Sequence, residues 1–231
     1  MLVRLLSIGI LSAATAVMAL APAKLTPYTE KDKPHSYDLQ VKVDMQGQEV
    51  LYTAHLRETV TAKKADGSFS QKNEIVESYI NMGGYDESQG TELATSHHGK
   101  NGLPTKVENE EPTVFHMRFM RLWAMSYPEG DVEVGSRWEV RYDHDADLGT
   151  PATKLSYEIV GKESVDGYEC YKIKYEAHES ESTQTAGGNG FHWIDIKSGL
   201  RVKSQGEMTN APVQDQVFDM KYTSTLRKSK S

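Results

Sequence analysis

The chain has 231 residues, 38% of them hydrophobic and 26% charged, with 12 tyrosines, 3 tryptophans and a formal charge of −7. Aromatic residues in this number argue against a disordered chain. An acidic balance with no run of basic residues before the Arg227–Lys230 tail disfavours nucleic acid and anionic membrane surfaces as partners. Cys170 is the single cysteine, so no intramolecular disulfide forms and a core must hold the fold.

Met1–Arg4 carries one positive charge, Leu5–Leu20 is an apolar run, and Ala21-Pro22-Ala23 has the form of a cleavage site. Residues 1–23 are therefore expected to be a signal peptide cut after Ala23, with Ala21 the competing site. The run is slightly short for a span of about 20 residues, and no stable membrane span is expected after cleavage. The remainder, 24–231, keeps 25 basic against 33 acidic residues, a charge of −8. It is expected to be one β-rich domain, exported to the periplasm or beyond the cell.

Lys24–Ser36 carries Pro27 and Pro34 among polar residues and reads as an extended lead-in. Tyr37, Leu39, Val41, Val43 and Met45 then alternate with polar residues, the period of a half-buried strand. After Gln46-Gly47 the pattern continues on even positions from Val50 to Val60; Asp66-Gly67 leads into a strand from Phe69 to Ile80, and Asn101-Gly102 marks a hairpin.

Residues 112–125 break this rhythm. Pro112 suits a first helical turn and Pro128 a stop. At about 100° per residue Phe115, Phe119 and Leu122 share a face, Trp123, Met120 and Met117 widen it, and Arg118 with Arg121 leaves only a narrow polar wedge. Such a helix is buried nearly all round or covers a cavity.

Strand character returns from Val132 to Tyr142, followed by an acidic loop, Asp143–Thr150. Two hairpins then follow. Leu155, Tyr157 and Ile159 precede Asp166-Gly167, and Tyr171, Ile173, Tyr175 and Ala177 follow it. A three-residue loop, Val165–Gly167, pairs Ile159 with Ile173 and Tyr157 with Tyr175, with Gly161 under Tyr171. A Lys197–Gly199 loop sets Ile196 against Leu200 and Ile194 against Val202. Ala186–Gly190 reads as a glycine-rich connector between the hairpins, and Val213–Leu226 as the last strand. One face of this sheet is apolar and needs a cover.

Sites of chemistry are sparse. Asp143, Asp145 and Asp147 alternate, but an EF-hand loop wants Gly and Glu where Leu148 and Lys154 stand. His97 and His98 are adjacent on a strand and point to opposite faces. Cys170 is expected on the polar face beside Lys172 and opposite Lys162. No nucleophile elbow, zinc helix, P-loop or dinucleotide fingerprint occurs. No catalytic residue, metal or cofactor is assigned, although a hydrolase site around Asp143, His144 and Asp145 stays an alternative.

The Pro128-Glu129-Gly130-x-Val132-x-Val134-Gly135-x-x-Trp138 segment and the Trp193-Ile194-Asp195-x-x-Ser198-Gly199-Leu200 hairpin, behind an export signal, resemble exported bacterial proteins of lipoprotein-carrier-like type. The resemblance implies a mainly β fold, a curved antiparallel sheet of roughly ten strands forming an unclosed barrel, with a helix against its concave face. It implies a lipid or a lipidated protein as partner and transfers no catalytic residue. The expected ligand site is therefore the concave face, lined by Tyr157, Ile159, Ile173, Tyr175, Ile194 and Val202 and covered by Phe115, Phe119, Leu122 and Trp123. The alternative is an envelope interaction module with a filled core.

Overall fold

The computed structural model describes residues 23–45, 47–108, 114–180, 184–213 and 216–228. Most of the expected signal segment, Pro112 and the end of the basic tail lie outside them. The elements are β1 (Ala23–Lys24), β2 (Pro34–Met45), β3 (Gln48–Lys63), β4 (Phe69–Met82), β5 (Tyr85–Ser88), β6 (Glu92–His98), β7 (Pro104–Glu108), α1 (Val114–Leu122), β8 (Asp131–Val132), β9 (Arg137–Tyr142), β10 (Ala152–Val165), β11 (Tyr168–Ser180), β12 (Gly187–Asp195), β13 (Arg201–Val213) and β14 (Gln216–Leu226). Twelve strands form one antiparallel sheet in the order β7-β6-β4-β3-β2-β14-β13-β12-β11-β10-β9, with β5 a flap on β4. β1 and β8 pair separately.

Alternation explains the strands. On β2, Tyr37, Leu39 and Val41 are buried while Asp38, Gln40 and Lys42 are exposed. The pairing of β14 with β2, Leu226 opposite Tyr37 and Met220 opposite Val43, joins the two halves of the chain. The sheet is curved but not closed. β7 and β9 remain its edges, and the Tyr142 hydroxyl on one donates to the Pro104 carbonyl on the other at 3.3 Å.

Both hairpins form, with different turns from those expected. Val165 pairs with Tyr168 around a two-residue turn, Asp166 (φ 54°) and Gly167 (φ 92°), the left-handed pair whose twist matches that of the strands. The extra residue is absorbed upstream by a bulge after Ile159. Ile159 therefore still faces Ile173 and Tyr157 faces Tyr175, but Gly161 lies opposite Lys172, not Tyr171. In the second hairpin Ile194 pairs with Arg201 rather than Val202, because an irregularity after Trp193 shifts the register. The turn is closed by Asp195, whose amide donates to Leu200 O (2.8 Å) and whose carboxylate accepts from the Ser198 amide (2.9 Å).

The expected glycine-rich connector is mostly strand. Gly190 and Gly206 face each other, and a Cβ on Gly190 would collide with the Gln205 carbonyl and one on Gly206 with that of Asn189. The gap they leave is crossed by Tyr175, whose hydroxyl reaches that of Tyr222 at 2.7 Å.

Helix α1 is shorter than expected and gives way to extended chain at Trp123. Past Leu122 the chain is held by other elements. Tyr157 Oη donates to Ala124 O (2.7 Å) and Trp138 Nε1 to Ser126 O (3.1 Å), while the Tyr127 amide donates to Asn101 O (2.8 Å). The polar wedge also differs from expectation. Arg118 makes a two-pronged contact with the buried carboxylate of Glu179 (2.9 and 2.6 Å), and Arg121, 6% exposed, donates to Thr150 Oγ1 (2.8 Å) with its guanidinium 4.4 Å from the Tyr142 ring centroid. The wedge is spent on tethering the helix.

Candidate functional site

The main core lies between the sheet and the α1–Tyr127 segment, and the structure brings most of the expected site residues together there. Leu122, Ile159, Ile173, Tyr175 and Ile194 are 0% exposed and Tyr157 3%, with Phe119 and Trp123 packed against them. Trp123 meets Tyr222 edge-on at 5.2 Å and Phe119 at 5.5 Å. Phe115 is half-buried. Val202 is parted from the set and belongs to a second cluster with Tyr37, Cys170, Trp193, Leu200 and Leu226. These side chains touch one another and the helix. Their apolar surface is engaged in packing.

Polar groups are threaded through this interior. His192, 0% exposed, bonds Ser204 Oγ at 2.7 Å and stacks on Tyr175 at 4.7 Å; burial pushes its imidazole down to about 3. Towards the other half, Gln71 Nε2 donates to Asn73 Oδ1 (2.7 Å), Asn73 Nδ2 to Ser96 Oγ (2.8 Å), and His98 spans Ser96 Oγ (2.8 Å) and Gly102 O (2.9 Å). The carbonyl fixes a proton on His98 Nδ1, so Nε2 accepts from Ser96. This is the tautomer of a serine–histidine pair, but Ser96 is 1% exposed and the network stitches β4 to β6. On the same inner side Glu58 of β3 pairs with Arg201 of β13 at 2.5 Å.

The other candidates resolve into structural roles. Cys170 is buried rather than on the surface, and Glu163, not Lys162, stands opposite it. Burial, with Asp195, Glu169 and Glu163 nearby, pushes its thiol up to about 12, the reverse of an activated nucleophile. Asp145 caps its own loop, its carboxylate accepting the amides of Asp147 and Leu148. His98 stacks on Phe69 at 4.7 Å. Among the described residues no group of three or more His, Cys, Asp or Glu could hold a metal ion, and no helix is long and apolar enough to cross a membrane.

Open space lies elsewhere, where three hairpin ends meet. A hollow of about 690 Å³ is lined by Asp44, Met45, Gln48, Val50, Met82 and Gln216–Phe218, the ends of the β2–β3 and β13–β14 hairpins and of β4. Its apolar side chains are wet: Met45 is 41% exposed, Met82 47%, and Tyr85, opposite Met82, 84%. Sequence reasoning missed this mouth. Its local trace was the Met82-Gly83-Gly84-Tyr85 turn, a hairpin signal with apolar flanks.

No family model and no curated protein matches the chain. Among solved structures it is similar to a Bacteroides fragilis protein with a YmcC-like fold (12% identity, 89% of this chain and 100% of that one, TM-score 0.36). The hypothetical lipoprotein YmcC of Escherichia coli aligns at 12% identity over 85% of both chains (TM-score 0.34), and a DUF1329 family protein of Desulfovibrio piger at 10% over 84% of both (TM-score 0.25). The architecture of this chain is defined by its own sheet order.

Proposed function

We propose that the protein is an exported, non-enzymatic binding module that holds an apolar group at the mouth of its sheet rather than beneath its helix. The observation that carries this reading is the hollow of about 690 Å³, with Met45, Val50, Met82, Val217 and Phe218 on its walls. Its volume falls in the ordinary range for ligand pockets, and methionines adapt to apolar shapes of several kinds. The packed residues under α1 support the same relocation, since their surface is already covered by protein. A fluorescent fatty acid serves as probe. Saturable uptake that is lost in Met82→Asp and retained in Ile173→Val supports the reading; no uptake, or uptake indifferent to Met82→Asp, overturns it.

The fully packed interior favours a second reading, an interaction module of the cell envelope with a filled core. That reading expects a partner protein at the mouth and no uptake of a free acyl chain.

A further inference from the structure

Sulfur is distributed unevenly in this protein. Met117, Met125, Met208 and Met220 are 6%, 7%, 1% and 5% exposed and Met120 is half-buried in α1, whereas Met45 and Met82 are 41% and 47% exposed and both line the hollow. They reach it from the two neighbours of β3. Val50 stands directly opposite both Val43 and Met82, and Met45 follows Val43 by two residues on the same face of β2. The Cys170 thiol is 0% exposed. Among the described residues, an oxidant arriving from solvent therefore meets the sulfurs of the mouth first.

A thioether can become polar without any change of chain. Hydrogen peroxide transfers one oxygen atom to the sulfur: the O–O bond breaks, an S–O bond forms, the sulfur is oxidised by two electrons and the peroxide is reduced to water. The sulfoxide is polar and accepts hydrogen bonds, so an apolar guest laid on it takes that oxygen away from water without replacing the bonds it had there.

We infer that Met45 and Met82 are a peroxide-sensitive modification site, and that their oxidation to sulfoxides releases the apolar group held at the mouth. The inference rests on the reading of the mouth as the binding site and adds its regulation. Leucines would line the hollow equally well for a permanent guest. Methionines give a wall that turns polar on oxidation and is restored by a thiol-dependent methionine sulfoxide reductase. Their exposure keeps the change local. In the empty mouth the added oxygens stay in water, whereas the same chemistry at Met208 or Met220 would place a polar oxygen in the main core.

The test treats the folded protein with hydrogen peroxide, maps its peptides by mass, and titrates a fluorescent fatty acid before and after. Met45 and Met82 should be oxidised at least about tenfold faster than Met117, Met125, Met208 and Met220. Affinity for the probe should then fall about tenfold, with the near-ultraviolet circular dichroism unchanged. Met45→Leu/Met82→Leu should bind the probe as the wild type does and keep it through peroxide treatment, while Met45→Gln/Met82→Gln should bind, untreated, as weakly as the oxidised wild type. Interior methionines oxidised as fast as these two, an affinity unchanged once both are oxidised, or an equal loss in the leucine variant overturns the inference and leaves the mouth as the site. Failure of the untreated wild type to take up the probe removes the mouth and the inference together.

Discussion

Arg201 and Glu58 meet at 2.5 Å although β14 and β2 lie between their strands. On a flat sheet three strand steps measure about 14 Å, so the contact reports how sharply the sheet coils at this end. The ring centroid of Tyr37 on β2 lies 5.1 Å from the guanidinium and that of Trp123 5.9 Å from it.

This pair is predicted to be a measurable clamp. Both side chains are about a fifth exposed (22% and 21%), so removing one partner leaves a poorly solvated charge. Arg201→Met and Glu58→Gln should each cost about 3 kcal/mol. The double variant should cost much less than their sum, because the stranded charge is then gone. Urea unfolding of the four proteins reads the coupling directly, and additive losses would show that the two side chains are neighbours without being partners.

Tyr175 and Tyr222 share a hydroxyl–hydroxyl bond over the Gly190–Gly206 pair. Tyr222→Phe strands the Tyr175 hydroxyl and should cost about 1–2 kcal/mol. Gly206→Ala should cost more, at least about 3 kcal/mol, since its Cβ meets the Asn189 carbonyl and approaches the Tyr175 hydroxyl at 2.9 Å. Thermal denaturation of both variants ranks the two effects; a well-folded Gly206→Ala of wild-type stability would contradict the close approach.

What could be read in advance follows from the range of each interaction. The alternation of Tyr37, Leu39 and Val41 identifies β2 because one buried face imposes a period of two, and the helix is visible because its apolar spacing fits no strand. The β10–β11 pairing was also legible, but not its mechanism. Keeping Ile159 opposite Ile173 requires one extra residue somewhere in the hairpin, and apolar parity does not say whether it sits in the turn or in a bulge. The end of α1 was hidden because the chain that follows it is bonded by Tyr157 and Trp138, 33 and 12 residues away in sequence. The mouth is harder still. Met45, Met82 and Phe218 sit at three hairpin ends and are joined only by the sheet order, while Arg201 and Glu58 are 143 residues apart.

His192 carries an acid prediction. Burial holds its imidazole neutral and moves its titration from 6.5 down to about 3. A base whose folded value is depressed contributes stability above the unfolded value, and that contribution is lost as pH falls from about 6.5 towards 3. By pH 5 the loss should reach about 2 kcal/mol. His192→Leu, less stable at neutral pH because Ser204 loses its partner, should show a shallower decline between pH 7 and pH 5. Urea midpoints at both pH values make the comparison. An equal decline in both proteins would assign the acid sensitivity to other groups.

Cys170 gives the opposite sign. It is 0% exposed, and the fold favours the neutral thiol, moving its titration from 9.0 up to about 12. An acid whose folded value is raised contributes stability that is complete below the unfolded value and is lost as pH climbs through the window between the two. From pH 8 to pH 10 the wild type should therefore lose about 1 kcal/mol that Cys170→Ala does not lose, although Cys170→Ala starts lower for want of its sulfur in the second cluster. The same burial predicts the reactivity. A thiol-specific disulfide reagent at pH 8 should leave the folded protein unmodified and react fully in denaturant. Fast labelling of the native protein would place the thiol at the surface and remove both expectations together.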